Sequence, residues 1–70
     1  MTKYVIEYEM KNGEGDHITT YDEDEAVTEM EEIKADPECV SATLKELFIY
    51  GGICQGENII EEFTREREEK

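Results

Sequence analysis

Apolar and polar residues alternate from the start of the chain. Across residues 3–10, Tyr4, Ile6, Tyr8 and Met10 fall on one side, with Val5, Glu7 and Glu9 on the other. Period-two alternation rich in aromatic and β-branched residues specifies a half-buried strand. Lys11-Asn12-Gly13-Glu14-Gly15-Asp16 follows, and its Asn-Gly pair is the strongest short hairpin signal. Residues 17–21 (His-Ile-Thr-Thr-Tyr) have strand propensity and are expected to return antiparallel to the first strand.

The period then lengthens. Ala26, Val27, Met30 and Ile33 recur at helical spacing and form one apolar stripe. Asp22 stands where a residue must accept hydrogen bonds from the unpaired amides of the first turn, and Glu25 sits three residues on, as a capping box requires. The acids of Asp22-Glu23-Asp24-Glu25 also suit the positive end of a helix dipole, by about 0.3–1 kcal/mol each. Lys34 suits the opposite end, and Asp36-Pro37 is a stop because a residue before proline avoids the helical region. The pattern predicts a helix over residues 23–35.

Residues 40–50 read as a third strand with a change of parity inside it. Val40, Ala42 and Leu44 share one face, whereas Leu47 and Ile49 have the opposite phase. A bulge near Lys45-Glu46 would bring both sets to one side; without it, the far half is covered on both faces. Gly51-Gly52 ends the strand. Residues 58–64 support two assignments. Ile59-Ile60 and Phe63, close to a glycine-rich turn, favour a fourth strand hairpinned to the third through residues 51–57. The alternative is a helix, on which Ile59, Ile60 and Phe63 would share a face and Glu61–Arg65 and Glu66–Lys70 would form pairs four apart.

These elements predict an α+β fold: a small antiparallel sheet in β-β-α-β-β order with one helix across one face, the last element being strand or helix. Residues 1–64 make one domain and residues 65–70 a polar tail. A chain of 70 residues has a thin core, with stability on the order of 3–5 kcal/mol unless a disulfide, a metal or self-association helps. Cys39 and Cys54 lie fifteen positions apart without partners at zinc-ligand spacing. No signal-peptide pattern precedes them, so reduced thiols in a cytoplasmic protein are expected, a bridge between them requiring that their segments lie side by side. No apolar run is long enough to span a membrane.

Charge changes the picture more than size does. Twenty Asp and Glu against seven Lys and Arg leave a net charge of −13. Such a surface repels nucleic acid and anionic lipid and attracts basic partners. Catalysis has little support: His17 shows no oriented partner, and an activated cysteine needs a positive neighbourhood that this chain lacks. The glycines precede no lysine of a phosphate loop, and Asp16, Asp22, Asp24 and Glu25 do not follow a calcium-loop spacing, so no cofactor and at most a weak divalent-cation site are expected.

The helix itself concentrates acid. Glu25 and Glu29 are four apart and Glu29 and Glu32 three apart, like-charge pairs that each cost about 0.2–0.5 kcal/mol. Glu31 and Glu32 also lie near the negative end of the dipole. A solvated face that merely keeps the protein soluble explains such a run. A functional reading assigns Asp22, Asp24, Glu25, Glu29, Glu31 and Glu32 to an acidic face that engages a basic protein, in the manner of an inhibitor or nucleic-acid mimic among mobile-element accessory proteins. A third expectation is homodimerisation through an exposed edge and an uncovered sheet face bearing Val5, Thr19 and Tyr21.

Overall fold

The computed structural model describes residues 1–65. It contains β1 (Thr2–Met10), β2 (Gly15–Thr20), α1 (Glu23–Ala35), β3 (Cys39–Tyr50) and β4 (Ile53–Thr64). The four strands form one antiparallel sheet in the order β2-β1-β3-β4, with α1 packed on one face. This is the expected α+β architecture in the expected element order.

The first hairpin closes through a loop rather than a two-residue turn. Gly13 takes φ +90°, which side chains disfavour, and the Glu14 amide donates to Asn12 Oδ1 at 2.9 Å. β2 therefore begins at Gly15, and Tyr21 falls outside the strand. The second hairpin is tighter than expected. Gly51 and Gly52 both have positive φ, the signature of a two-residue type I′ turn. β4 consequently starts at Ile53 instead of near residue 58, and the strand assignment of the last element holds.

Helix α1 matches its predicted bounds. Asp22 adopts an extended conformation and its Oδ1 accepts from the Asp24 and Glu25 amides, at 2.9 and 3.4 Å. The capping box closes on one side only, since the Asp22 amide donates to Thr20 Oγ1 at 3.2 Å. At the other end Asp36 is extended (φ −78°, ψ 118°), as its proline neighbour requires.

The core lies between α1 and the two central strands. Ala26 and Met30 from the helix are fully buried against Tyr4, Ile6, Cys39, Ala42 and Leu44, with Ile18, Ile33 and Phe63 at its margin. β1 and β3 run in unbroken register from Thr2↔Phe48 to Glu9↔Ser41, so β3 has no bulge at Lys45-Glu46. The extra residue lies across from that point, in β4. Leu44 pairs with Glu61 and Lys45 with Ile59, leaving Ile60 unmatched. The shift turns Glu61 and Phe63 toward the helix side, while Leu47 and Ile49 keep the opposite phase and face away from it.

Arg65, expected to open the polar tail, is bonded to the body of the fold. Its guanidinium donates to the carbonyls of Lys34 (2.9 Å), Asp36 (2.8 Å) and Cys39 (3.1 Å) and lies 5.2 Å from the centre of the Phe63 ring. The rest of the expected tail, with the Glu66–Lys70 pair, lies outside the described residues.

Candidate functional site

The six acidic residues singled out on the helix divide by their positions. Glu25, Glu29 and Glu32 follow spacings of four and three and form one strip. Asp24 and Glu31 are seven apart and form a second strip on the other flank. Asp22 is committed to capping, and Glu31 is held by Lys34 Nζ at 3.2 Å. Lys34, the one cation of the helix, also binds Glu61 of β4. Hydrogen bonds that it donates to Glu61 and then to Glu31 raise its pKa above the ordinary lysine value.

The first strip borders a cleft. Glu29, Glu32 and Asp36 line one side of a space of about 310 Å³ whose remaining walls are Tyr8, Met10, Ile33 and Cys39. It exists because α1 crosses the central strands and leaves Tyr8 and Met10, at the far end of β1, only half-buried. Asp36 also accepts the Glu38 amide at 2.9 Å. The sequence reading missed Tyr8, Met10 and Asp36 as members of this site. The alternation marked the first two as core, and Asp36 reads as a helix stop. No local signal separates a residue of the core from one at its open margin.

The catalytic candidates stay apart. His17 is exposed on edge strand β2, across from Glu7. Cys39 is buried at the start of β3, and Cys54 is exposed beyond the turn at its other end. Cys54 pairs with Ile49, ten residues along β3 from Cys39, a separation of about 33 Å that no disulfide spans. Asp16, Asp22, Asp24 and Glu25 likewise do not converge: among the described residues no three His, Cys, Asp or Glu side chains are placed to hold a metal ion. No described helix is long and apolar enough to cross a membrane.

A second surface lies on the sheet face away from α1. Val5, Leu47 and Ile49 are half-buried there, beside Ile59, which is 50% exposed. Lys45 stands between Val5 and Ile59 and bonds Glu7 at 2.8 Å, which raises its pKa above the ordinary lysine value. The β3–β4 hairpin then runs on past β1, and its tip carries Tyr50 and Ile53, 74% and 65% exposed. Gly56 lies under the Phe48 ring, whose nearest atom would be 3.9 Å from an added Cβ, so the aromatic covers a backbone that has no side chain of its own.

Compared with protein-family models, with curated proteins and with solved structures, the chain matches none.

Proposed function

We propose that this protein is a non-enzymatic acidic binding module whose α1 side engages a basic protein surface. The observation that carries the reading is the cleft beside the helix, where Glu29, Glu32 and Asp36 stand over the apolar walls of Tyr8, Met10 and Ile33. Lysine and arginine are amphipathic, with an aliphatic stem and a charged head. An inserted side chain would lay its stem along Met10 and Ile33 and place its head among the three carboxylates. Tyr8 adds a ring face that attracts a cation. The helix has little charge of its own to offset these acids, because Lys34 is engaged by Glu31 and Glu61.

Basic surfaces of this kind belong above all to proteins that handle nucleic acids, whose lysines and arginines neutralise phosphates. An inhibitor or nucleic-acid mimic acting on such a protein is the role that fits the charge. Long-range attraction would speed the encounter and make it sensitive to salt.

The test is an NMR titration of the full chain with nona-arginine at two salt concentrations, for the wild type and for Glu29→Lys with Glu32→Lys. Shifts centred on Tyr8, Met10, Glu29, Glu32 and Ile33, with at least tenfold weaker binding by the folded double variant, are expected. Shifts spread evenly over every acidic position, or unchanged affinity in the variant, would sink the reading.

A further inference from the structure

We infer that the sheet face opposite α1 is the contact surface of a homodimer, in which two copies pack face to face as a four-layer α-β-β-α sandwich. β3 changes parity along its length. Val40, Ala42 and Leu44 have the phase of the helix side, but Leu47 and Ile49 do not, and β3 has no bulge against β1 between Leu44 and Leu47 to bring them back. Strand register assembles them with residues distant in sequence. Thr19, Val5, Lys45 and Ile59 stand side by side across the sheet, and the next row holds Lys3, Leu47 and Glu57. Ile49 and Met1 follow, joined by main-chain hydrogen bonds of 2.8 and 3.1 Å. An apolar band thus crosses the central strands on a face that no helix among the described residues covers.

Charge identifies the occupant as a second copy. On this face Lys3 and Lys45 stand among Glu7, Glu9, Glu57 and Glu62, so half of its carboxylates are offset. The helix and its cap carry Asp22, Glu23, Asp24, Glu25, Glu29, Glu31 and Glu32 against Lys34 alone. A basic partner is drawn to the helix side, whereas two copies of a molecule with net charge −13 meet with less repulsion through this less acidic face than through the helix side. In the sandwich the helices lie outermost, on the order of 30 Å apart if each layer adds about 10 Å. That exceeds three Debye lengths at physiological salt, where the screening length is about 8 Å.

The size of the face fits as well. Four strands about 4.8 Å apart, over nine residues rising about 3.3 Å each, give a footprint of roughly 600 Å² per copy. Two such footprints reach about 1,200 Å², the lower bound for a specific interface and one that suits dissociation constants in the micromolar range. The paired edges are less suited to the contact. β4, the long edge, is broken by register shifts at Ile60 and Gln55 and carries Glu57, Glu61 and Glu62, devices that oppose edge-to-edge pairing.

The experiment is sedimentation equilibrium of the full chain from micromolar to millimolar concentration at 0.02, 0.15 and 0.5 M NaCl. The dimer is expected to strengthen as salt rises, opposite in sign to the binding of a basic partner, so the two readings succeed or fail independently. Leu47→Glu is expected to raise the dissociation constant at least tenfold; Ile59→Glu, at a more exposed position, serves if the first variant does not fold. A nitroxide on Cys54, the exposed thiol, should broaden amide signals of Val5 and Thr43 in an unlabelled second copy. Monomer at every concentration in 0.5 M NaCl, a dimer that weakens with salt, or a dimer indifferent to both substitutions would overturn the proposal.

Discussion

The Arg65 guanidinium donates to the main-chain carbonyl of Asp36 at 2.8 Å, joining the residue that follows β4 to the C-terminal cap of α1. The same group reaches the carbonyls of Lys34 and Cys39. Carbonyls at a helix end lack partners within the helix and bear partial negative charge, so a forked cation satisfies several at once. β4, an edge strand, thereby holds the C-terminal end of the helix, and the Lys34–Glu61 pair ties the same end to the same strand.

Replacing Arg65 by Ala should therefore destabilise the fold by about 1.5–3 kcal/mol, the range for hydrogen bonds to a charged group. Arg65→Lys should recover only part of this, because an ammonium cannot fork across three carbonyls. Urea denaturation of both variants measures the difference. Equal stability of the alanine variant and the wild type would show that the contacts contribute nothing.

Met30 is fully buried against the sheet and is among the largest side chains so placed. Met30→Ala should cost about 2–5 kcal/mol through lost burial and the cavity left behind. Since the whole domain is stable by only about 3–5 kcal/mol, the variant should be largely unfolded at 37 °C. Circular dichroism at that temperature checks it, with a fully folded variant as the contrary result.

The two thiols should behave differently. Cys54 is exposed and Cys39 is fully buried. A thiol reagent under native conditions should modify one group per chain rapidly, and the second only when denaturant opens the core. Mass spectrometry after partial labelling should place the modification on Cys54. Rapid reaction of both would contradict the packing of Cys39.

Alkali should weaken the fold. Side-chain hydrogen bonds with Glu61 and Glu7, respectively, raise Lys34 and Lys45 above the usual 10.5. Burial, and then the charges of Glu23, Glu46 and Asp22, raise Tyr4 above 10.0. In each case the folded chain holds the proton more tightly than the unfolded chain does. Their stabilisation is therefore complete below about pH 10 and is lost as the pH rises through the folded values. Denaturation midpoints measured from pH 8 to 12 should fall over the upper half of that range, and a rise there would contradict the assignment.

Reversing Glu29 and Glu32 should not unfold the protein. Both flank the open cleft and stand outside the buried core, and Glu29→Lys replaces a like-charge pair with Glu25 by an attractive one. Positions 29 and 32 stay alike in charge, so the expected change in stability is a gain of about 0.2–0.5 kcal/mol from the one relieved pair. A thermal melt of the double variant gives the number, and a large loss would mean that the carboxylates support the fold.

Much of the fold was legible in local pattern. Alternation over Tyr4, Ile6, Tyr8 and Met10 specified β1, and Asp22 with Asp36-Pro37 bounded α1, because periodicity and capping act between near neighbours in the chain. The early start of β4 was harder to see. Gly51-Gly52 reads equally as a tight turn or as the opening of a longer loop, and only pairing with β3 selects between them.

The candidate site was legible as composition but not as a surface. Glu29 and Glu32 were identified by charge, whereas Tyr8, Met10 and Asp36 joined them through the way α1 crosses the sheet. The phase of Leu47 and Ile49 was visible in the sequence, yet its meaning depended on a bulge that the sheet places in β4 at Ile60, across from where a single-strand reading put it. The sequence by itself determined the elements, their order and the acidity of the helix, since propensity, periodicity and charge are properties of neighbouring residues. Tertiary structure alone decided which side chains share a cleft and which face stays open, because register and crossing are set by contacts between residues far apart in the chain.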